Sequence, residues 1–200
     1  MTGAATRGAK PVAKKKGIDW SLRELRREDG DALLAFARDI PLHDLMFLER
    51  DIRNPKVVDA WLDQCERGLI RSTLAFSGDR VVGSSALVRD ELSWSPHVGE
   101  IRILIAPDAR GSGLGRALAQ DSMDIAQQTG IERLIVRMTP DQTSALSLFE
   151  DMGFRPEALL RNQVRDARGV TNDIVILALD VNRLRSAHEV YGLPDNFPGD

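Results

Sequence analysis

Apolar and polar positions change period repeatedly along the 200-residue chain, and each change marks an element. Residues 1–17 carry no hydrophobic period. They are small, basic and glycine-containing, so ordering them would cost backbone entropy that little burial offsets, and they predict a disordered leader. From Asp19 the pattern sharpens: Trp20, Leu22 and Leu25 predict a strand, and Asp29 precedes a helix carrying Leu33, Leu34, Phe36 and Ala37. Pro41 ends that helix. The stretch 41–55 alternates without a clean period and predicts a short helix in a mobile connection. Asn54 as cap and Pro55 in the first turn open a second helix, with Val58, Trp61, Leu62 and Cys65 at helical spacing and Gly68 closing it.

Residues 70–89 read as a hairpin turning at Gly78 and Asp79. A strand over 98–106 follows, with Ile101, Ile103 and Ile105 at period two. Next come a helix over 113–129 ended by Gly130, a strand over 134–138, and a helix over 144–152. Ala145, Leu148, Phe149 and Met152 form the buried stripe of that last helix. Two strands at 158–164 and 174–179, joined across Arg168 and Gly169, close the chain. The order β, α, α, β, β, β, α, β, α, β, β calls for an α/β (α+β) fold: a mixed sheet of about six to seven strands with helices on both faces. It predicts one domain over 18–181 and a tail over 182–200.

An apolar share of 42% with 28% charged residues supports a single sizeable core. Cys65 is the only cysteine, so no intramolecular disulfide or cysteine-rich metal site holds the fold, and a metal-free protein of a reducing compartment is expected. The N-terminus lacks the apolar core of a signal peptide, and no run approaches the ~20 apolar residues of a membrane span. These features predict a cytoplasmic protein without a membrane partner, as a monomer or a homodimer. Net charge is −3, but five of the 27 cations lie in residues 1–16; the remaining 22 face 30 acids, a body of −8. Such a body repels nucleic-acid phosphates and attracts amines.

The run Arg110-Gly111-Ser112-Gly113-Leu114-Gly115 joins the isoleucine strand to an amphipathic helix, so backbone N–H groups and the positive helix end converge there. The glycines remove Cβ atoms from a ligand's path, Ser112 can donate a hydroxyl, and Arg110 and Arg116 add charge, which suits a diphosphate. A P-loop requires Gly-Lys-Ser/Thr where this loop ends Gly115-Arg116-Ala117, and the dinucleotide fingerprint requires a different glycine spacing. A glycine-rich turn that binds nothing is the plainer alternative.

The loop and the later ALSLFEDMGF resemble the GNAT superfamily of acetyl-CoA-dependent N-acetyltransferases, whose pyrophosphate motif Gln/Arg-x-x-Gly-x-Gly/Ala is matched by residues 110–115. The resemblance covers residues 19–180. It implies acetyl-CoA as acyl donor, a diphosphate on residues 110–116, and a pantetheine arm along Ile103, Leu104 and Ile105, where an N–H near Ile103 would polarise the acetyl carbonyl. Gln142 stands where the family often has asparagine beside pantetheine. Phe149 stands where the family has a tyrosine that protonates the departing thiolate; the chain's one tyrosine, Tyr191, is in the tail.

A primary amine must lose a proton to attack, which directs attention to Glu100 at the start of the motif strand and to His97 just before it. A surface carboxylate and a solvated histidine are their ordinary alternatives. His43 in the 41–55 connection could also relay a proton, and Asp44 and Glu49 could attract a cationic acceptor. Cys65, on a buried helix stripe, is a poor nucleophile, so direct attack by the amine is expected. The sequence thus predicts acetyl transfer to a primary amine of a small molecule or protein. A non-catalytic acyl-CoA-binding regulatory module, favoured by Phe149, is the alternative.

Overall fold

The computed structural model describes residues 18–166 and 168–182. Its elements are β1 (Ser21–Glu24), α1 (Gly30–Asp39), α2 (Pro55–Glu66), β2 (Ile70–Ser77), β3 (Arg80–Val88), β4 (Val98–Ile105), α3 (Leu114–Gln128), β5 (Arg133–Met138), α4 (Thr143–Asp151), β6 (Arg155–Arg165) and β7 (Thr171–Asp180). That is the order read from the hydrophobic periods. The predicted leader and all but the first residue of the predicted tail lie outside the described residues.

Local chemistry accounts for the boundaries. The Asn54 side chain accepts from the Lys56 N–H at 3.0 Å, satisfying one orphan donor of α2, and Pro55 fills its first turn. The predicted short helix of the 41–55 connection is a 3-10 turn, Leu42–Leu45. In α4 the expected stripe is only partly realised. Phe149 is buried, whereas Ala145, Leu148 and Met152 are half-exposed, because the helix borders an open cleft instead of lying flat on the sheet.

The seven strands form one sheet in the order β1-β2-β3-β4-β5-β7-β6, with β4 and β5 parallel and every other pair antiparallel. Pleating sends successive side chains of β4 to opposite faces. Ile105 lies opposite Gly83 of β3, where an added Cβ would come within 3.0 Å of Leu114 and 3.2 Å of Leu118, so α3 covers the face holding Ile101, Ile103 and Ile105. Glu100, Arg102 and Leu104 point to the face covered by α1 and α2.

The core forms two clusters, the first of which also takes in Leu114 and Leu118 of α3. Leu33 and Phe36 of α1 and Leu62 of α2 pack with Leu74 and Val82 of the sheet. Across the sheet, Ala119 and Ala126 of α3 pack with Leu134, Val136, Phe154 and Leu177. A buried ion pair pins the first strand to the first helix: Arg23 donates to both oxygens of Asp29 at 2.7 Å, and the Arg26 N–H adds a third bond at 2.8 Å.

Candidate functional site

The β4–β5 ladder runs from Val98↔Arg133 to Ile101↔Val136 and stops. Beyond it each strand stays in the sheet through its outer neighbour, β4 through Ile105↔Gly83 and β5 through Met138↔Val175. The two therefore diverge, and among the described residues no strand pairs with their facing edges. A cleft of about 630 Å³ opens in the gap. Ile101, Ile103 and Ile105 line it from β4, Leu148 and Phe149 from α4, and His43, Asp44 and Phe47 from the connection after α1.

At one end of this cleft the chain leaves β4 through a 3-10 turn, Pro107–Ala109, and enters α3. Gly111 and Gly113 have φ of 73° and 84°, left-handed values that an L side chain rarely adopts. Alternating left-handed residues turn successive N–H groups to one side. Consistent with this, none of the six N–H groups from Gly111 to Arg116 has a protein acceptor among the described residues; the first helical bond is Ala117 N–H to the Gly113 carbonyl at 3.2 Å. Six N–H groups without a protein acceptor at the positive end of a 15-residue helix are an arrangement that can receive an anion.

The side chains of this loop divide the work differently from the sequence expectation. The Ser112 hydroxyl is buried and donates to the Ala109 carbonyl at 2.7 Å, so it shapes the turn and is spent there. The Leu114 side chain is in the core. Gly115 is needed for packing, since a Cβ there would lie 3.1 Å from Ile105 and 3.2 Å from Leu148. Arg110 reaches across the cleft mouth to Asp44 at 2.6 Å, and Arg116 lies 3.4 Å from Asp151. Both guanidinium groups are about half exposed, beside the loop's N–H groups.

Along the cleft wall, His43 Nε2 is 2.7 Å from Asp141 and 3.4 Å from the Thr139 hydroxyl. The Thr139 hydroxyl, and then the charge of His43, hold the Asp141 carboxyl below its usual range. Phe149 packs edge-to-face on Phe154, with ring centroids 5.1 Å apart. The Gln142 side-chain oxygen accepts from the Thr139 N–H at 3.3 Å, which leaves its amide N–H₂ for a ligand carbonyl.

The fold that carries this strand–loop–helix junction has counterparts among known proteins. A sequence profile of the acetyltransferase (GNAT) family matches residues 31–154. The chain belongs to the GNAT family. Its sequence is 37% identical over 89 residues to a mycothiol acetyltransferase of Geodermatophilus obscurus, covering 43% of this chain and 29% of that protein. It is 30% identical over 80 residues to the ribosomal protein bS18-alanine N-acetyltransferase of Escherichia coli K12, covering 40% and 53%. The matched segments thus span about half or less of these relatives. In fold it resembles a GNAT-family acetyltransferase from Streptococcus pneumoniae (TM-score 0.71, 21% identity, 81% of this chain and 99% of that one). It also resembles the Salmonella typhimurium protein yncA, solved with its cofactor acetyl-CoA (TM-score 0.68, 16% identity, 81% and 94%).

Within this GNAT domain the expected cofactor residues Ile103, Leu104, Ile105, Arg110, Gly111, Gly113, Gly115, Arg116, Gln142 and Phe149 all border the one cleft. Ser112 and Leu114 are buried and do not line it, so only their backbone N–H groups are available to a ligand. His97 is not brought to the cleft. It is exposed just before the first rung of β4, its carbonyl accepting from Glu132 and Arg133, with the length of the strand between it and the glycine loop.

Glu100 is nearly buried on the α1/α2 face, both oxygens accepting from Arg102 at 3.0 Å. On the same face a smaller cavity of about 190 Å³ is lined by Glu100's partner Arg102 and by Leu104 of β4, Glu49 and Arg50 of the connection, and Trp61 of α2. Arg102 and Arg137, which the sequence reading passed over, both reach Glu49, at 3.8 and 3.6 Å. Period-two alternation along β4 and β5 was the available signal, but which strand faces which is not written in it. Cys65 is half-buried beside Ser72, and burial pushes its thiol pKa up.

Proposed function

We propose that the protein transfers an acetyl group from acetyl-CoA to a primary amine by direct attack. The observation that carries this is the parting of β4 and β5 after Ile101↔Val136, with six unpaired N–H groups at the end of the same cleft. Acetyl-CoA, when bound, supplies an acyl group activated by a thiol leaving group. The N–H groups of 111–116 would bind its diphosphate, with Arg110 and Arg116 adding charge at the rim. The open edge of β4 at Ile103–Ile105 and the Gln142 amide would hold the pantetheine arm, and an N–H near Ile103 would donate to the acyl oxygen.

The acceptor amine enters from the α1/α2 face, on the side of the smaller cavity. Glu100 takes its proton through water, on the lone pair that each oxygen keeps beside its bond from Arg102. His43, oriented by Asp141, is the imidazole in the cleft that Phe149 also lines, and gives a proton to the leaving sulfur in place of the missing tyrosine. The reaction so drawn uses no metal and suits a reducing cytoplasm. The amine is carried by a small molecule or a protein.

A specific observation favours a second reading, a non-catalytic acyl-CoA-binding module: Phe149 cannot donate a proton, and Glu100 is tied to Arg102. Thiol release from acetyl-CoA with a panel of amines, run beside calorimetric titration of CoA, separates the two. Binding with amine-dependent thiol release supports the transferase; binding with none supports the module; no binding overturns both.

A further inference from the structure

Arg102 and Arg137 are the first residues past the last β4–β5 rung, one on each strand, and their side chains meet on the α1/α2 face. What lies between them is the carboxylate of Glu49, loosely held: its oxygens are 3.8 Å from Arg102 and 3.6 Å from Arg137, beyond hydrogen-bond length, and its side chain is 61% exposed. The Arg137 Nε is buried and has no hydrogen-bond partner among the described residues. A buried guanidinium donor left unmet costs free energy unless something arrives to accept from it. Arg102 is fixed in place by its two bonds to Glu100, which leaves its remaining donors to face the gap. Arg50, Arg102 and Glu49 line the cavity of about 190 Å³ on that face, while Arg137 lines the main cleft, so the pair stands between the two spaces.

We infer that this pair is a carboxylate clamp for the acceptor: the substrate is a small amine that also bears a carboxylate, an amino acid or a close relative, and its carboxylate displaces that of Glu49 between Arg102 and Arg137. The inference rests on the transferase reading above. Planar guanidinium groups suit a carboxylate, whose two oxygens can take paired N–H donors. Displacement of Glu49 is inexpensive because its contacts are long and its own side chain is 61% exposed, so its carboxylate returns readily to water. The carboxylate would sit where the strands part, beside the expected position of the thioester, and its amino group would lie toward Glu100. A polyamine has no group to satisfy Arg137 and adds cations to a cationic site.

The test compares free L-amino acids as a panel with their carboxamides and with spermidine, measuring thiol release from acetyl-CoA by the full chain, its Arg137→Gln and Arg137→Lys variants, and CoA affinity for each. The expected result is at least one amino acid preferred over its amide by about 10- to 100-fold in kcat/KM, mainly through KM. Arg137→Gln should bring that ratio toward one while CoA still binds, and Arg137→Lys should restore part of it. Amides or spermidine turned over as well as the acids, no amino acid turned over while other amines are, or a ratio unaffected in Arg137→Gln would overturn the clamp. Loss of CoA binding by the parent chain would instead overturn the transferase reading.

Discussion

The Arg110 guanidinium lies 2.6 Å from the Asp44 carboxylate and ties the glycine loop to the 3-10 turn on the opposite lip of the cleft. Arg110 adds positive charge beside the N–H groups of residues 111–116, and Asp44 subtracts some of it. Arg110→Gln is therefore expected to weaken CoA binding by about 3- to 10-fold, with a smaller effect at high salt, since the group is half exposed and screened. Asp44→Asn should shift affinity the other way by a smaller factor. Calorimetry at two ionic strengths checks both; weaker binding in Asp44→Asn would mean that the acid's role is to position Arg110.

Phe149 lies on the cleft wall with its ring edge-to-face on Phe154. Because the position borders open space, Phe149→Tyr should place its hydroxyl in the cleft and raise kcat several-fold with little change in melting temperature. A drop in melting temperature without faster turnover would show the hydroxyl forced into the core, where an unpaired group costs ~1–3 kcal/mol.

The proposed proton route divides between two walls, Glu100 on one face of β4 and His43 on the cleft wall. Glu100→Gln should lower kcat/KM by ~10²-fold at neutral pH and by less at high pH, where free amine is abundant, with CoA affinity kept. His43→Gln should lower kcat by ~10-fold or more without that recovery, since a missing donor is not supplied by alkali. Rate profiles from pH 6 to 10 tell them apart. If Glu100→Gln merely scales the profile down, another group or bulk water takes the proton.

Much of the scaffold behind these assignments was legible in the sequence because it depends on local signals. Asn54 and Pro55 marked a helix start, Gly78 and Asp79 a hairpin, and the isoleucines of β4 a pleat. The glycine loop was legible for the same reason, although Gly113 is required by its left-handed φ and not by a crowding Cβ, which would meet no atom within 4 Å. Pairings across the fold were not legible. His43 and Thr139 are 96 residues apart, and the meeting of Glu49 with Arg102 and Arg137 depends on where the β4–β5 ladder ends. The Ser112 hydroxyl, read as a ligand donor, instead donates to the Ala109 carbonyl, because a hydroxyl in a turn serves the backbone as readily as a ligand.

Stability at low pH should track Asp29. Its burial favours the neutral acid, but the bonds from Arg23 and from the Arg26 N–H outweigh this and hold its pKa below the ordinary 3.8. A lowered folded-state pKa means the pair adds stability above pH 3.8, and that stability is lost as pH falls through the lowered value. Asp29→Asn should lower stability at pH 7 by about 1–3 kcal/mol and flatten the acid limb of the curve below pH 4. Urea melts from pH 2.5 to 7 give the comparison; an acid limb identical to the parent's would assign it to other carboxylates.

The N–H groups of residues 111–116 are proposed to bind the diphosphate of an acyl-CoA. The most direct test is calorimetric titration of the parent and Gly113→Ala with CoA and with pantetheine, which lacks the diphosphate. The account predicts one CoA per chain, pantetheine weaker by ~10²-fold or more, and a large loss of CoA affinity in Gly113→Ala, whose side chain cannot hold φ near 84° without strain. CoA and pantetheine binding alike, or Gly113→Ala binding CoA as tightly as the parent, would contradict it.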